Sequence, residues 1–312
     1  MAIGIDPKVD FVFKLVFGNP EHTKITIHFL NAVLNLAHPI VWVEILNPIQ
    51  GKDRSEDKMI VLDVLARDSQ GRTFNIEMQT TIVIGLRQRL TYYSCLNYVR
   101  QLGKGEEYHE LRPAISICVL DRTLFPQSEA HHLSFRLRCD QEDLVLTDDL
   151  QIHAIELPKF WPSAGEILQC SDKKKWLYFL VNAEYLDAED FKVLLPGPEY
   201  EEASGVLAMI SQTPEERQFY EDRLKFLRDQ NAQILQARFE GRQEGIDEGI
   251  EKGIEKGREE GIEKGMLAGK IQILQQLLGE SETSVLVLGS HPVAELSSML
   301  RDLQNRLRTR DV

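Results

Sequence analysis

Residues 59–79 decide the reading of this chain. They run Met59-Ile60-Val61-Leu62-Asp63-Val64-Leu65-Ala66, then Arg67-Asp68-Ser69-Gln70-Gly71-Arg72, then Thr73-Phe74-Asn75-Ile76-Glu77-Met78-Gln79. The first stretch is apolar but for one carboxylate, which suits a buried strand over about 59–66. The last alternates with period two, the pattern of a strand with Phe74, Ile76 and Met78 on one face and Asn75, Glu77 and Gln79 on the other. Between them, Ser69-Gln70-Gly71 suits a three-residue hairpin loop with Gly71 in the left-handed conformation. That loop pairs Asp68 with Arg72. Counting outward places Asp63 opposite Glu77, since both pairs of numbers add to 140.

Directly opposed residues share a face, with Cβ atoms about 5 Å apart. Two carboxylates at that range repel unless a cation lies between them. A hard ion such as Mg²⁺ takes one or two carboxylates together with water and substrate phosphate. The hairpin therefore has the chemistry of a small metal site. Acids on a wet strand face are ordinary surface. Asp63 differs because it interrupts an apolar run, where an unpaired carboxylate is costly.

The composition sets bounds on function. The chain has 312 residues, 43% hydrophobic content and a formal net charge of −13. It is long enough for one large or two ordinary domains. The acidic balance does not advertise a polyanion-binding surface, so a nucleic-acid substrate would have to be held by local basic clusters and a metal. The N-terminal residues lack the pattern of a signal peptide, and no apolar run approaches the roughly 20 residues of a membrane helix. Cys95, Cys118, Cys139 and Cys170 are widely spaced, without the pairing of metal ligands. They read as reduced thiols of a cytoplasmic protein.

Residues 6–36 read as helical, with Asp6 at the N-cap and Pro7 at the first helical position. A loop at Gly18-Asn19-Pro20 separates two helices. Asp10 and Lys14 are an i,i+4 pair: either a surface ion pair, or Asp10 faces the sheet and adds a carboxylate to the metal site. Further strands are expected over 41–46, 115–120 and 152–157, and a helix over 83–102. Arg87, Arg89, Arg100 and Lys104 form the densest basic patch near the hairpin, either a wet helix face or a phosphate contact. His131-His132 reads as surface in a polar connection. Strands with helices before and between them indicate an α/β architecture around a mixed sheet. From Trp161 the pattern turns helical, with a break at Pro196-Gly197-Pro198 and a long helix from about Pro214.

The composition then changes. Glycines stand at 241, 245, 249, 253, 257, 261, 265 and 269, a strict period of four, with Ile246, Ile250, Ile254 and Ile262 in a second column. Eight helical glycines cost on the order of 8 kcal/mol against alanine. The segment reads either as a charge-balanced linker or as a helix whose glycine grooves let a second helix approach closely, at a crossing near −50°. Residues 271–278 and 293–307 read as amphipathic helices, the second with a stripe of Leu296, Met299, Leu300, Leu303 and Leu307. This divides the chain into residues 1–235, 236–270 and 271–312, with a homo-oligomer formed through the tail.

Asp10-Phe11-x-Phe13-Lys14, Val61-Leu62-Asp63-Val64, Asn75-Ile76-Glu77-Met78-Gln79, Arg89-x-x-Tyr92-Tyr93 and Tyr108 before Pro113 together resemble the bacterial Rpn family. Its members are described as recombination-promoting nucleases or transposases and are similar to the PD-(D/E)XK nuclease superfamily. The resemblance covers roughly residues 4–235, and the glycine repeat and leucine-rich end are similar to tails common in the family. It implies a PD-(D/E)XK restriction-endonuclease-like core and a Mg²⁺-dependent DNA endonuclease linked to recombination or mobile elements. It makes Asp63 and Glu77 the metal-binding acids.

Gln79 stands where that superfamily has a lysine, although Glu-x-Gln is itself usual in the Rpn family. Glutamine can orient a water by hydrogen bonds but cannot neutralise phosphate charge. Lys58, Arg89 or Lys14 would then supply the cation, with Tyr92 a further phosphate contact. The competing reading is a degenerate nuclease fold that serves as a DNA-associated, self-assembling interaction protein.

Overall fold

The computed structural model describes residues 2–46 and 64–310. Asp63, Lys58 and the first part of the expected strand 59–66 lie outside them. The chain forms two compact units, Met1–Phe226 and Leu227–Val312.

The first unit is built on six strands: β1 Val43–Ile45, β2 Val64–Asp68, β3 Thr73–Gln79, β4 Ala114–Leu120, β5 His132–Arg138 and β6 Val145–Glu156. Their spatial order is β1-β2-β3-β4-β6-β5. The β3–β4 and β4–β6 pairs are parallel and the others antiparallel, so the sheet is mixed. A parallel pair needs a crossover. Helix α3, Leu86–Val99, supplies the one between β3 and β4.

The hairpin has the register expected from its turn. Val64 pairs with Ile76 and Ala66 with Phe74. Asp68 N donates to Arg72 O at 3.0 Å, and Gly71 has φ +80°. The Asp68 carboxylate locks the loop: it accepts from the backbone N–H of Gln70 and of Arg72, both at 2.9 Å, and from Arg72 Nε at 2.6 Å. A left-handed residue in that loop favours glycine because it carries no Cβ.

The sheet's two faces are unlike. One carries Phe74, Ile76, Ile117 and Val119, all fully buried. Helices α1, Asp10–Phe17, and α2, Thr23–Leu34, belong to this side: a Cβ placed on Gly18 at the end of α1 would sit 3.0 Å from Val64 Cγ2. Helices α4 Ala164–Ile167, α5 Asp172–Asn182, α6 Ala188–Leu194 and α7 Pro198–Gln212 follow. An aromatic cluster joins them to the N-terminal pair. The ring centroids of Trp176 and Phe17 lie 5.5 Å apart and those of Trp176 and Tyr200 4.6 Å apart, spacings that favour tilted and edge contacts.

The other face is covered by α3. Leu86 and Leu90 pack on Cys118, Leu120 and Ala154, and the Ser94 and Ser116 hydroxyls are hydrogen-bonded at 2.8 Å.

Three expectations change. The first helix begins at Asp10, not after Asp6. Asp6 Oδ1 accepts Lys8 N at 2.9 Å, so the cap-like contact forms, but it closes only a turn ahead of the helix; Asp6 N donates to Tyr220 OH at 3.0 Å. His132 opens β5, an edge strand unforeseen in sequence. Leu133, Phe135 and Leu137 do alternate with polar residues there, but every position is at least partly exposed. Finally, β6 starts at Val145, well before residue 152.

Helix α8 runs from Pro214 to Leu278, so residues 236–270 lie within one helix. In the second unit, Ala268 and Ile271 of α8 pack with Leu288 of α9, Val285–Gly289, and with Leu296 and Leu303 of α10, Val293–Arg310. The helix expected over 271–278 is the end of α8 rather than a separate element; Leu296, Leu300 and Leu303 of the expected stripe on α10 join this cluster, while Met299 is exposed. No helix among the described residues is long and apolar enough to cross a membrane.

Candidate active site

The alternation of β3 places Asn75, Glu77 and Gln79 on the face beneath α3. Burial there is deep: Asn75 is 2% exposed and Glu77 4%. A carboxylate so enclosed must be paired or hydrogen-bonded. Glu77 has two partners. Asn75 Nδ2 donates to Oε1 at 2.9 Å, and Arg89 Nη2 of α3 stands 3.9 Å from Oε2. The second is an ion contact longer than a hydrogen bond.

Two atoms beside this carboxylate lack hydrogen-bond partners. Asn75 Oδ1 and Arg89 Nε are both buried and unbonded. The amide's orientation follows from chemistry, because only its nitrogen can donate to a carboxylate. Its oxygen is therefore the unfilled acceptor. Gln79 is half-buried at the end of β3, and its carbonyl accepts Asp121 N at 2.9 Å.

Asp63, expected from sequence to stand opposite Glu77, lies outside the described residues, as does Lys58. Among the described residues no group of three or more His, Cys, Asp or Glu side chains could hold a metal ion. The donors that are present fit a hard divalent cation: a buried carboxylate and a neighbouring amide oxygen with no partner, both oxygen ligands.

The other candidates divide. Asp10 is bound by the Arg223 guanidinium, with Nε at 2.9 Å from Oδ1 and Nη2 on Oδ2. Its carboxylate is engaged by α8 rather than by Lys14. Lys14 lies on α1, whose end abuts the sheet's other face. Tyr92 is 62% exposed on the outer side of α3. Arg87 Nη2 donates to Leu124 O at 3.0 Å and its guanidinium lies over the Phe125 ring, which assigns it to packing.

A second polar cluster was not foreseen. His132 Nε2 and His153 Nδ1 are hydrogen-bonded at 3.0 Å across β5 and β6, and Lys173 Nζ lies 3.3 Å from His132 Nδ1. Burial pushes His132 down to about 4, helped by Lys173, His153 and His131. Burial, then Arg136 and Lys173, pushes His153 down to about 4 as well. Both rings are thus neutral at neutral pH, one donating and one accepting. The signal in sequence was His153 at an inward position of an alternating strand.

No curated protein and no solved structure matches the chain. A family model described as PD-(D/E)XK nuclease family transposase matches residues 7–237, which takes in the whole sheet and the Glu77 site. The mixed sheet flanked by helices and the match over most of its length place this chain in the PD-(D/E)XK nuclease family transposases.

Proposed function

We propose that the protein is a Mg²⁺-dependent DNA endonuclease whose metal ligands are Asp63 and Glu77, acting in recombination or on mobile elements. The observation that carries this reading is Glu77. It is buried beneath α3 and held by one neutral donor and one distant cation, beside an amide oxygen that nothing fills. A buried carboxylate left so thinly paired suits a site that gains a cation in use.

Asn75 fixes the carboxylate's orientation through Oε1. Gln79, on the same face, orients the attacking water through its amide. The surrounding sheet and α3 keep bulk water away, which strengthens every charge interaction in the site. A divalent ion bound there supplies a lowered pKa for coordinated water and screening of the phosphodiester.

A second reading follows from Gln79. Without the lysine usual in the superfamily, the core could serve as a DNA-associated scaffold that assembles through α8, where Ile246, Ile250, Ile254 and Ile262 are exposed beside the glycine column. One assay separates the readings. Purified protein is incubated with supercoiled plasmid and Mg²⁺, beside Asp63→Ala. Mg²⁺-dependent nicking that disappears in the variant, with an unchanged far-UV spectrum, supports the nuclease. Equal activity in both proteins removes Asp63 from the site.

A further inference from the structure

The nuclease reading leaves one requirement unmet, and this inference rests on that reading. The residue two positions after Glu77 is a glutamine, which carries no charge. Some other group must balance the negative charge that develops on the attacked phosphate. Of the other cations expected from sequence, Lys58 lies outside the described residues, and Lys14 belongs to a helix whose end packs on the sheet's opposite face. Arg87 is engaged by Leu124 and Phe125.

Arg89 meets the requirement by position. Helix α3 is anchored beneath it by Leu86, Leu90 and Tyr93, all buried, and Arg89 N donates to Gly85 O at 2.9 Å. Its side chain is 36% exposed, so the guanidinium borders solvent on one side and Glu77 on the other. The inner side is only partly used. Nη2 stops 3.9 Å short of Glu77 Oε2, and Nε is buried with no hydrogen-bond partner.

Asn75 Oδ1 completes the pattern. It is a buried, unbonded acceptor on a side chain whose nitrogen already holds Glu77. A buried donor and a buried acceptor that border one carboxylate, both unfilled, are costly if dry. Each therefore keeps capacity for a polar partner at this carboxylate. Arginine also suits the outward task, because its planar fork binds phosphate oxygens in pairs and stays charged at all working pH values.

We propose that Arg89 supplies the positive charge that Gln79 lacks: its inner edge stands against Glu77, and its exposed edge contacts the phosphate of the substrate. A signature follows. Arg89 and a divalent cation compete for the same carboxylate, so removing the guanidinium must strengthen metal binding while it weakens cleavage. A purely structural counter-ion would not separate the two.

The test uses the full chain with Arg89→Gln and Arg89→Lys. Three quantities are measured: plasmid cleavage at saturating Mg²⁺, Mn²⁺ affinity by calorimetry without DNA, and the melting temperature. Arg89→Gln is expected to lose about 100-fold or more in cleavage, the size of effect of removing one stabilising donor, while Mn²⁺ binds several-fold tighter. Arg89→Lys keeps the charge and is expected to cleave at least tenfold faster than Arg89→Gln; because it retains an ion partner for Glu77, it also serves if the glutamine variant fails to fold. The proposal is overturned if Arg89→Gln cleaves within about threefold of the parent, if Arg89→Lys is no better than Arg89→Gln, or if Mn²⁺ affinity falls. A parent protein that neither binds Mn²⁺ nor cleaves overturns the nuclease reading itself and this proposal with it, whereas an active parent with an equally active Arg89→Gln overturns only the role of Arg89.

Discussion

Two buried glutamates lie on the same face of this sheet, and they are held in opposite ways. Glu156, at the end of β6, is fully buried. Its Oε1 accepts the backbone N–H of Phe125 at 2.8 Å and that of Leu124, and its Oε2 is ion-paired with Lys159 Nζ. Lys159 Nζ also donates to Phe125 O at 2.8 Å. Oε2 makes no hydrogen bond and is held by the ion pair alone, so two backbone donors and one close ammonium tie this carboxylate to the loop. Glu77, two strands away, has one side-chain donor, a guanidinium at 3.9 Å and two unfilled atoms beside it. A buried carboxylate closely paired with a cation holds structure; one whose cation stands 3.9 Å away keeps capacity for something not yet bound.

Exchanging the roles of these residues is the severest trial of that contrast. Glu77→Gln is expected to reduce plasmid cleavage by about a thousandfold or more, since it removes a metal ligand, while the urea midpoint barely moves. Glu156→Gln is expected to do the reverse. It strands Lys159 in a buried setting and costs about 3 kcal/mol or more in denaturant unfolding, with cleavage per folded molecule retained. If both variants lose stability equally, the two sites are alike and the contrast fails.

The histidine pair sharpens it with a smaller effect. His132 and His153 are held near 4, below the ordinary 6.5. The folded chain therefore binds fewer protons than the unfolded chain between those values. The stability linked to this pair is complete above about pH 6.5 and is lost as the pH falls toward about 4. Melting temperatures taken across that window should fall with acid. The fall should be shallower in His153→Gln, which carries no titrating group. A slope unchanged by that substitution would assign the acid sensitivity elsewhere.

The smallest effect on chemistry is expected in the second unit. Ile254 is 68% exposed on α8. Ile254→Glu should lower the mass measured by light scattering if α8 is a seam between copies, and leave cleavage within about twofold. An unchanged mass would remove that column from the assembly.

The hairpin was legible because its information is local. Gly71, the Asp68 turn and the two-residue alternation of β3 specify the register within a few neighbours, and the pairing of Val64 with Ile76 follows. The face shared by Asn75, Glu77 and Gln79 was readable for the same reason. The β5 edge strand escaped because its alternation is not accompanied by a buried apolar face, so the usual contrast between the two sides is weak. The start of α1 escaped because the cap-like bond of Asp6 to Lys8 N closes a turn that the chain does not continue directly into a helix.

The sequence by itself determined the alternating strand with its acid, the turn that sets its register and the family whose motifs it carries, since each depends on residues close together in the chain. Only the tertiary structure decided what surrounds Glu77. The approach of Arg89 from the next helix, the engagement of Asp10 by Arg223, and the unfilled atoms of Asn75 and Arg89 depend on how α3 and α8 pack. Burial makes such charges matter, and burial is a property of assembled elements rather than of any one stretch of chain.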